Sequence, residues 1–195
     1  MNQASRQRMT HQARRLQLLS VAWDLVRQEG TDALTLGRVA EQAGVSKPVV
    51  YDHFSTRHGL LAALYEDFDI RQNALFDAAM AAAGHRLQDK AAVVAASYVN
   101  CVLTQGREIP DVLSSLDSTP ELAEVKRQYQ LNFIEKFRSW FAAFVAPSGI
   151  PLATMWGLLG AADAISSAVI CGDISQQEGL QELTALIITT IERSR

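Results

Sequence analysis

The side chains best suited to chemistry lie together in one short stretch, Lys47-Pro48-Val49-Val50-Tyr51-Asp52-His53. An ammonium, a phenol, a carboxylate and an imidazole at these spacings suit recognition more than catalysis. They supply donors for phosphate oxygens and donors or acceptors for base edges. Elsewhere, Ser, His and Asp occur in no pattern that singles out a triad, and no nucleophile elbow, Walker loop or dinucleotide fingerprint is present. His11, His53, His58 and His85, with Cys101 and Cys171, show no ligand-type spacing. The chain is therefore expected to be no enzyme and to need no metal or cofactor. Both cysteines read as small buried hydrophobes rather than redox sensors.

A recognition stretch needs a frame that exposes it. Thr35 can cap a short helix running to about residue 43, burying Val39 and Ala40. Gly44 can take positive φ in the turn, and Ser46 can cap a second short helix with Lys47 and Pro48 in its first turn. Val45 and Val50 fill the space between the two helices. The outward positions Lys47, Val49, Tyr51, Asp52 and His53 are then free to enter a major groove. Before this pair, Leu16, Leu19, Trp23 and Val26 mark an inward stripe on a helix over 10–29, ended by Gly30. After it, Ser55 can cap a long helix over 56–82 whose inward stripe is Leu61, Leu64, Phe68 and Leu75. Further helices are expected at 89–105, 111–116, 120–145, 151–171 and 176–193, with Thr119-Pro120 as a start signal and Ser175 with Glu178 as a capping box. No segment reads as a strand.

Charge divides the chain in the same way. Residues 1–57 hold eight Lys/Arg against five Asp/Glu, and the remainder holds ten against sixteen. A basic head on an acidic body suits a protein that meets phosphates with one end. Two cysteines make no disulfide framework, and no secretory signal opens the chain, so a cytoplasmic location is expected. The longest apolar stretch, 150–171, is interrupted by Asp163, Ser166 and Ser167, which favours a buried helix over a membrane span.

The array A-x-x-x-G-V-S (40–46), Y-x-H-F (51–54), a basic residue at 57 and then Leu60-Leu61 resembles the TetR/AcrR family of bacterial regulators over about residues 14–65. The resemblance implies an all-α fold: a three-helix helix-turn-helix DNA-binding domain (10–56), then a linking helix into a helical ligand-binding and dimerisation domain (57–195). It implies that Thr35 opens the second helix beside a phosphate. Lys47 would reach a base edge or phosphate, and Pro48 and Val49 would offer apolar contact. Tyr51 and His53 would bond backbone phosphates, and Arg57 would anchor another. Asp52 could accept from cytosine N4 or simply repel phosphate. Departures are Arg57 for the usual lysine, His58 where an acid is common, and Leu36 and Gly37 where polar contacts often lie.

In the body, Tyr129, Phe133 and Phe137 share one face of a long helix. With Tyr98, Cys101, Val102, Met155 and Trp156 they could wall a cavity for a small, largely apolar effector; the same residues suit ordinary core equally well. The resemblance implies such a pocket. It also implies a homodimer through the last two helices, read here as Gly157, Gly160, Ala161 and Ala164 against Leu183, Ile187 and Ile191. The expected partners are thus double-stranded operator DNA, a second copy and a small-molecule effector, with no membrane. The expected function is a ligand-responsive regulator, most simply a repressor of a palindromic operator. The competing reading is a helical small-molecule-binding or interaction protein whose head no longer binds DNA.

Overall fold

A computed structural model describes residues 9–105 and 108–195, and of residues 104, 105 and 108–110 the backbone alone. Among these residues there is no strand. The helices are α1 (His11–Glu29), α2 (Leu36–Gln42), α3 (Lys47–Phe54), α4 (Arg57–Ala82), α5 (Leu87–Gln105), α6 (Glu108–Leu116), α7 (Pro120–Phe141), α8 (Leu152–Cys171) and α9 (Gln176–Glu192). Short 3-10 turns at Thr31–Ala33 and Ala142–Phe144 complete the framework.

Local chemistry accounts for most boundaries. Thr10, Thr35 and Thr119 each accept a hydrogen bond from the amide three residues on, satisfying a donor the helix leaves free. Ser175 and Glu178 cap each other reciprocally, at 3.2 and 2.8 Å. One expectation shifts by a residue: Thr56, not Ser55, caps α4, accepting from Gly59 N at 3.0 Å. Ser55 instead makes the corner with φ +59°. That corner is tight enough that Gly59 is required. A Cβ there would lie 2.1 Å from the Phe54 carbonyl oxygen.

Two apolar cores follow. The head core joins Leu18, Leu19, Ala22, Trp23, Leu25 and Val26 of α1 to Val39 and Ala40 of α2, and to Val50 and Phe54 of α3. Leu60, Leu61, Leu64 and Tyr65 of α4 join it, as do Val112 and Leu116 of α6 and Leu122 of α7. The expected boundary at residue 57 therefore falls at the start of a helix whose first turns belong to the head. Further along, Phe76 and Met80 of the same helix enter the body core, with α5, α7, α8 and α9. Helix α4 is a rod fixed in both. Polar contacts brace it against α1: Trp23 Nε1 donates to Asp67 at 2.9 Å, and Arg15 pairs with Glu66 at 2.8 Å.

Three inward expectations fail. Leu16 is 53% exposed and Leu75 61% exposed, with Phe76 taking the buried position beside it. Cys171 is exposed at the end of α8 rather than buried.

Candidate nucleic-acid interface and interior cavity

Helices α2 and α3 cross through the turn at Gly44, whose φ is +64°. Val50 and Phe54 point into the head core, so α3 must show its opposite side to solvent. On that side stand Lys47, Pro48, Tyr51 and Asp52, all exposed, with Val49 half-buried. Tyr51 is a large aromatic with 52% of its surface open. Beside them, Thr35, Gly37, Arg38, Glu41 and Lys47 line a shallow open groove between α2 and α3. The Lys47 stem can lie along this groove because residue 37 carries no side chain; a Cβ there would be 3.7 Å from Lys47 Cε.

Two expected contact residues are turned to other tasks. Arg57 donates from Nε to the Leu34 carbonyl at 2.9 Å and from Nη2 to the Thr31 carbonyl at 2.7 Å. Its guanidinium thus clasps the α1–α2 connection, where it satisfies carbonyls that the short turn leaves over. His53 is half-buried and packs on His11 with ring centroids 4.1 Å apart. Its Nδ1 is buried without a hydrogen-bond partner among the described residues. Burial first and His11 second lower its pKa; Asp52 opposes them, and Arg15 and Arg14 add smaller downward pushes. Near neutral pH the ring is uncharged.

The body holds a cavity of about 160 Å³ between α4, α5, α6, α7 and α8. Tyr98, Cys101, Val102, Tyr129 and Phe133 line it, as expected from the sequence. Phe137 and Met155 do not; they are packed in the body core, and Trp156 lies outside the lining altogether. What sequence reasoning missed is the α4 wall: Tyr65, Phe68, Asp69, Gln72, Asn73 and Phe76. Their spacing of three and four marks one helix face, and polar residues recurring on an inward face were the available signal. The lining is thus mostly apolar and aromatic, with polar groups set into it on α4, α7 and α8. Asp69 and Asp163 both lie in it, and burial pushes both carboxyls above the usual range. Burial likewise pushes the Cys101 thiol up to about 12, so it stays protonated and inert.

The expected dimer residues also divide. On α8, Gly157, Gly160 and Ala164 are exposed and Ala161 half-exposed. On α9, Leu183, Ile187 and Ile191 are buried in the protomer's own core and cannot meet a second copy. The close crossing of α8 and α9 that buries them depends on Gly179, where a Cβ would come 2.6 Å from Val169 Cγ2.

Residues 18–64 match the model of the tetR family of bacterial regulatory proteins. The head is thus of the TetR-family type. The class A tetracycline repressor of transposon 1721 from Escherichia coli is 41% identical over 49 residues, a match spanning 25% of this chain and 23% of that repressor. Beyond the head the likeness is one of fold. A Rhodococcus protein assigned to the TetR-family transcriptional regulators superimposes with a TM-score of 0.76 at 20% identity, over 94% of this chain and all of that one. A transcriptional regulator from Pseudomonas aeruginosa PAO1 gives 0.74 at 14% identity, over the whole of both chains. The TetR-family head with its helix-turn-helix is thus joined to the helical body found in such regulators.

Proposed function

We propose that this TetR-family protein is a ligand-responsive repressor that binds a palindromic operator as a homodimer and leaves it when a small effector fills the cavity. The observation that carries the DNA contact is the exposed side of α3, where Tyr51 and Lys47 stand beside an open groove with no other task in the fold. Lys47, Pro48 and Val49 would meet base edges, and Tyr51 and the capped start of α2 at Thr35 would meet phosphates. Asp52 either selects cytosine or repels wrong placements.

A dimer is supported by α8. It is apolar enough by length and composition to cross a membrane, with mean hydropathy 1.4, yet only 33% of that window is buried in the protomer. A second copy laid on Gly157, Gly160, Ala161 and Ala164 would cover that face. Two heads are also what a palindrome requires, since one short helix reads too few base pairs.

Release follows from the position of α4. The helix belongs to the head core at one end, walls the cavity in its middle and enters the body core at the other end. Helix α6 adds a second link. Leu113 lines the cavity, and Ser115 Oγ is 3.1 Å from Thr31 Oγ1, on the residue whose carbonyl Arg57 holds. An effector that fits one tilt of α4 better than another would move the heads relative to successive grooves, by no more than its affinity difference between the two states.

Binding of the full chain to an inverted repeat taken from the DNA beside its own gene tests this reading. Lys47→Ala with Tyr51→Ala should weaken binding at least about 100-fold and flatten its salt dependence, because each base or phosphate contact contributes on the order of 1–3 kcal/mol and a dimer loses each twice. Unchanged affinity would overturn the assignment.

A further inference from the structure

The cavity contains three polar side chains that the fold leaves short of partners. Gln72 is only 8% exposed and lines the space, yet among the described residues its amide takes part in no hydrogen bond. Its side chain is otherwise packed away from solvent, so the cavity is where its amide can find a partner. Asp69 accepts from Asn73 Nδ2 at 2.9 Å, and Asp163 accepts from the Tyr98 hydroxyl. Each carboxylate therefore has one neutral donor and, among the described residues, no ion pair. Two cations stand close but pair with other carboxylates: Lys126, itself in the lining, holds Asp117 at 2.7 Å, and Lys136 holds Asp77 at 2.7 Å.

We propose that this cavity takes a cationic ligand built on one aromatic ring, an arylalkylammonium compound. Its charge would lie between Asp69 and Asp163, its ring among Tyr65, Phe68 and Phe133, and a polar substituent or the ammonium itself against Gln72. The proposal rests on the reading of the cavity as the effector site and names the chemistry of its occupant. Size supports a single ring: an engineered apolar cavity of roughly 150 Å³ holds one benzene, and this one measures about 160 Å³. Electrostatics supports a cation. Lys126 of the lining is already balanced by Asp117, so Asp69 and Asp163 leave the cavity net negative, and aromatic faces attract positive charge. The raised pKa of both carboxyls fits as well. Asp163 keeps contact with solvent, but the protein atoms crowded around it still favour its neutral form, and a bound ammonium would reverse that. Affinity should therefore fall as pH drops through the range in which these carboxyls take up protons.

Calorimetric titration of the full chain with three probes of one shape tests this: phenethylammonium, 2-phenylethanol and 3-phenylpropionate. The ammonium should bind at least 10-fold more tightly than the alcohol, and the carboxylate most weakly. Asp69→Asn and Asp163→Asn keep the side-chain shape and should each weaken ammonium binding at least 10-fold while thermal melting stays cooperative. If Asp163→Asn fails to fold, Asp69→Asn decides alone. Equal binding of alcohol or carboxylate, unchanged binding in the Asn variants, or binding of none of the probes overturns the proposal. Operator release is measured separately. If the ammonium binds as expected but leaves operator affinity unchanged, the ligand class stands and the coupling through α4 fails.

Discussion

Head and body use their polar residues in opposite directions. In the head, polar groups that turn inward meet protein partners: Arg57 finds two carbonyls, Trp23 finds Asp67, and Arg15 finds Glu66. Lys47 and Tyr51, the groups proposed to meet DNA, are on the outside. In the body, Asp69, Gln72 and Asp163 line a partly open cavity instead. A duplex is too large to be enclosed, so its reader must be a fixed outer surface. A small molecule is recognised by withdrawing it from water, so its reader must be an incompletely filled interior.

The sharpest way to separate the two regions is to break the head's corner. Gly59→Ala would place a Cβ against the Phe54 carbonyl at 2.1 Å, a backbone contact that no side-chain rotation relieves. The head should lose about 3 kcal/mol or more, in line with the upper range for overpacked sites. Thermal unfolding should gain an early transition and operator binding should disappear, while ammonium binding to the body persists at a temperature below that transition. A single unshifted melting curve would show that the α3–α4 corner can reorganise and that the head is less rigid than its packing implies.

A second, smaller effect is expected at the face of α8 proposed to meet a second copy. A Cβ at Gly160 meets no atom within 4 Å, so the protomer itself has room there. Gly160→Leu should leave monomer folding intact but hold a second α8 away, raising the dimer dissociation constant about 100-fold or more in sedimentation equilibrium. Operator affinity should fall with it, because each head would bind alone. An unaltered dissociation constant would place the dimer contact on another face.

How far each region could be read from sequence follows from the same contrast. The head is written locally. Thr35 as cap, Gly44 in the turn, Pro48 in a first turn and the inward Val50 and Phe54 are each decided within a few residues, and all stand where the pattern places them. Arg57 was legible as a cation but not as a clasp, because its carbonyl partners lie 23 and 26 positions away. The body is written at long range. On α4 the apolar Ile70 and Leu75 point outward while Asp69 and Gln72 point in, since the inner face borders a cavity. That reverses the usual rule and hides the site from a search for apolar stripes. Helix α9 shows the opposite trap. Its strongest stripe, Leu183, Ile187 and Ile191, suggested a dimer contact because an aliphatic stripe looks the same whether its partner is the next helix or the next molecule.

The smallest effect concerns an inward polar atom of the head that goes unanswered among the described residues. His53 Nδ1 is buried without a partner and its ring lies against His11, so protonation would set a charge beside a second histidine and two arginines. The folded state therefore holds the pKa of His53 below that of the unfolded chain. The sign follows from linkage: the neutral ring contributes stability that is complete above the unfolded value of about 6.5 and is lost as pH falls, since the unfolded state then binds the proton more readily. The thermal midpoint should drop more steeply between pH 7.5 and 5.5 in the natural protein than in His53→Gln, by a degree or two. Parallel curves would mean that His53 moves away from His11 freely enough to be solvated, and the head would then have no unsatisfied interior group to set against those of the cavity.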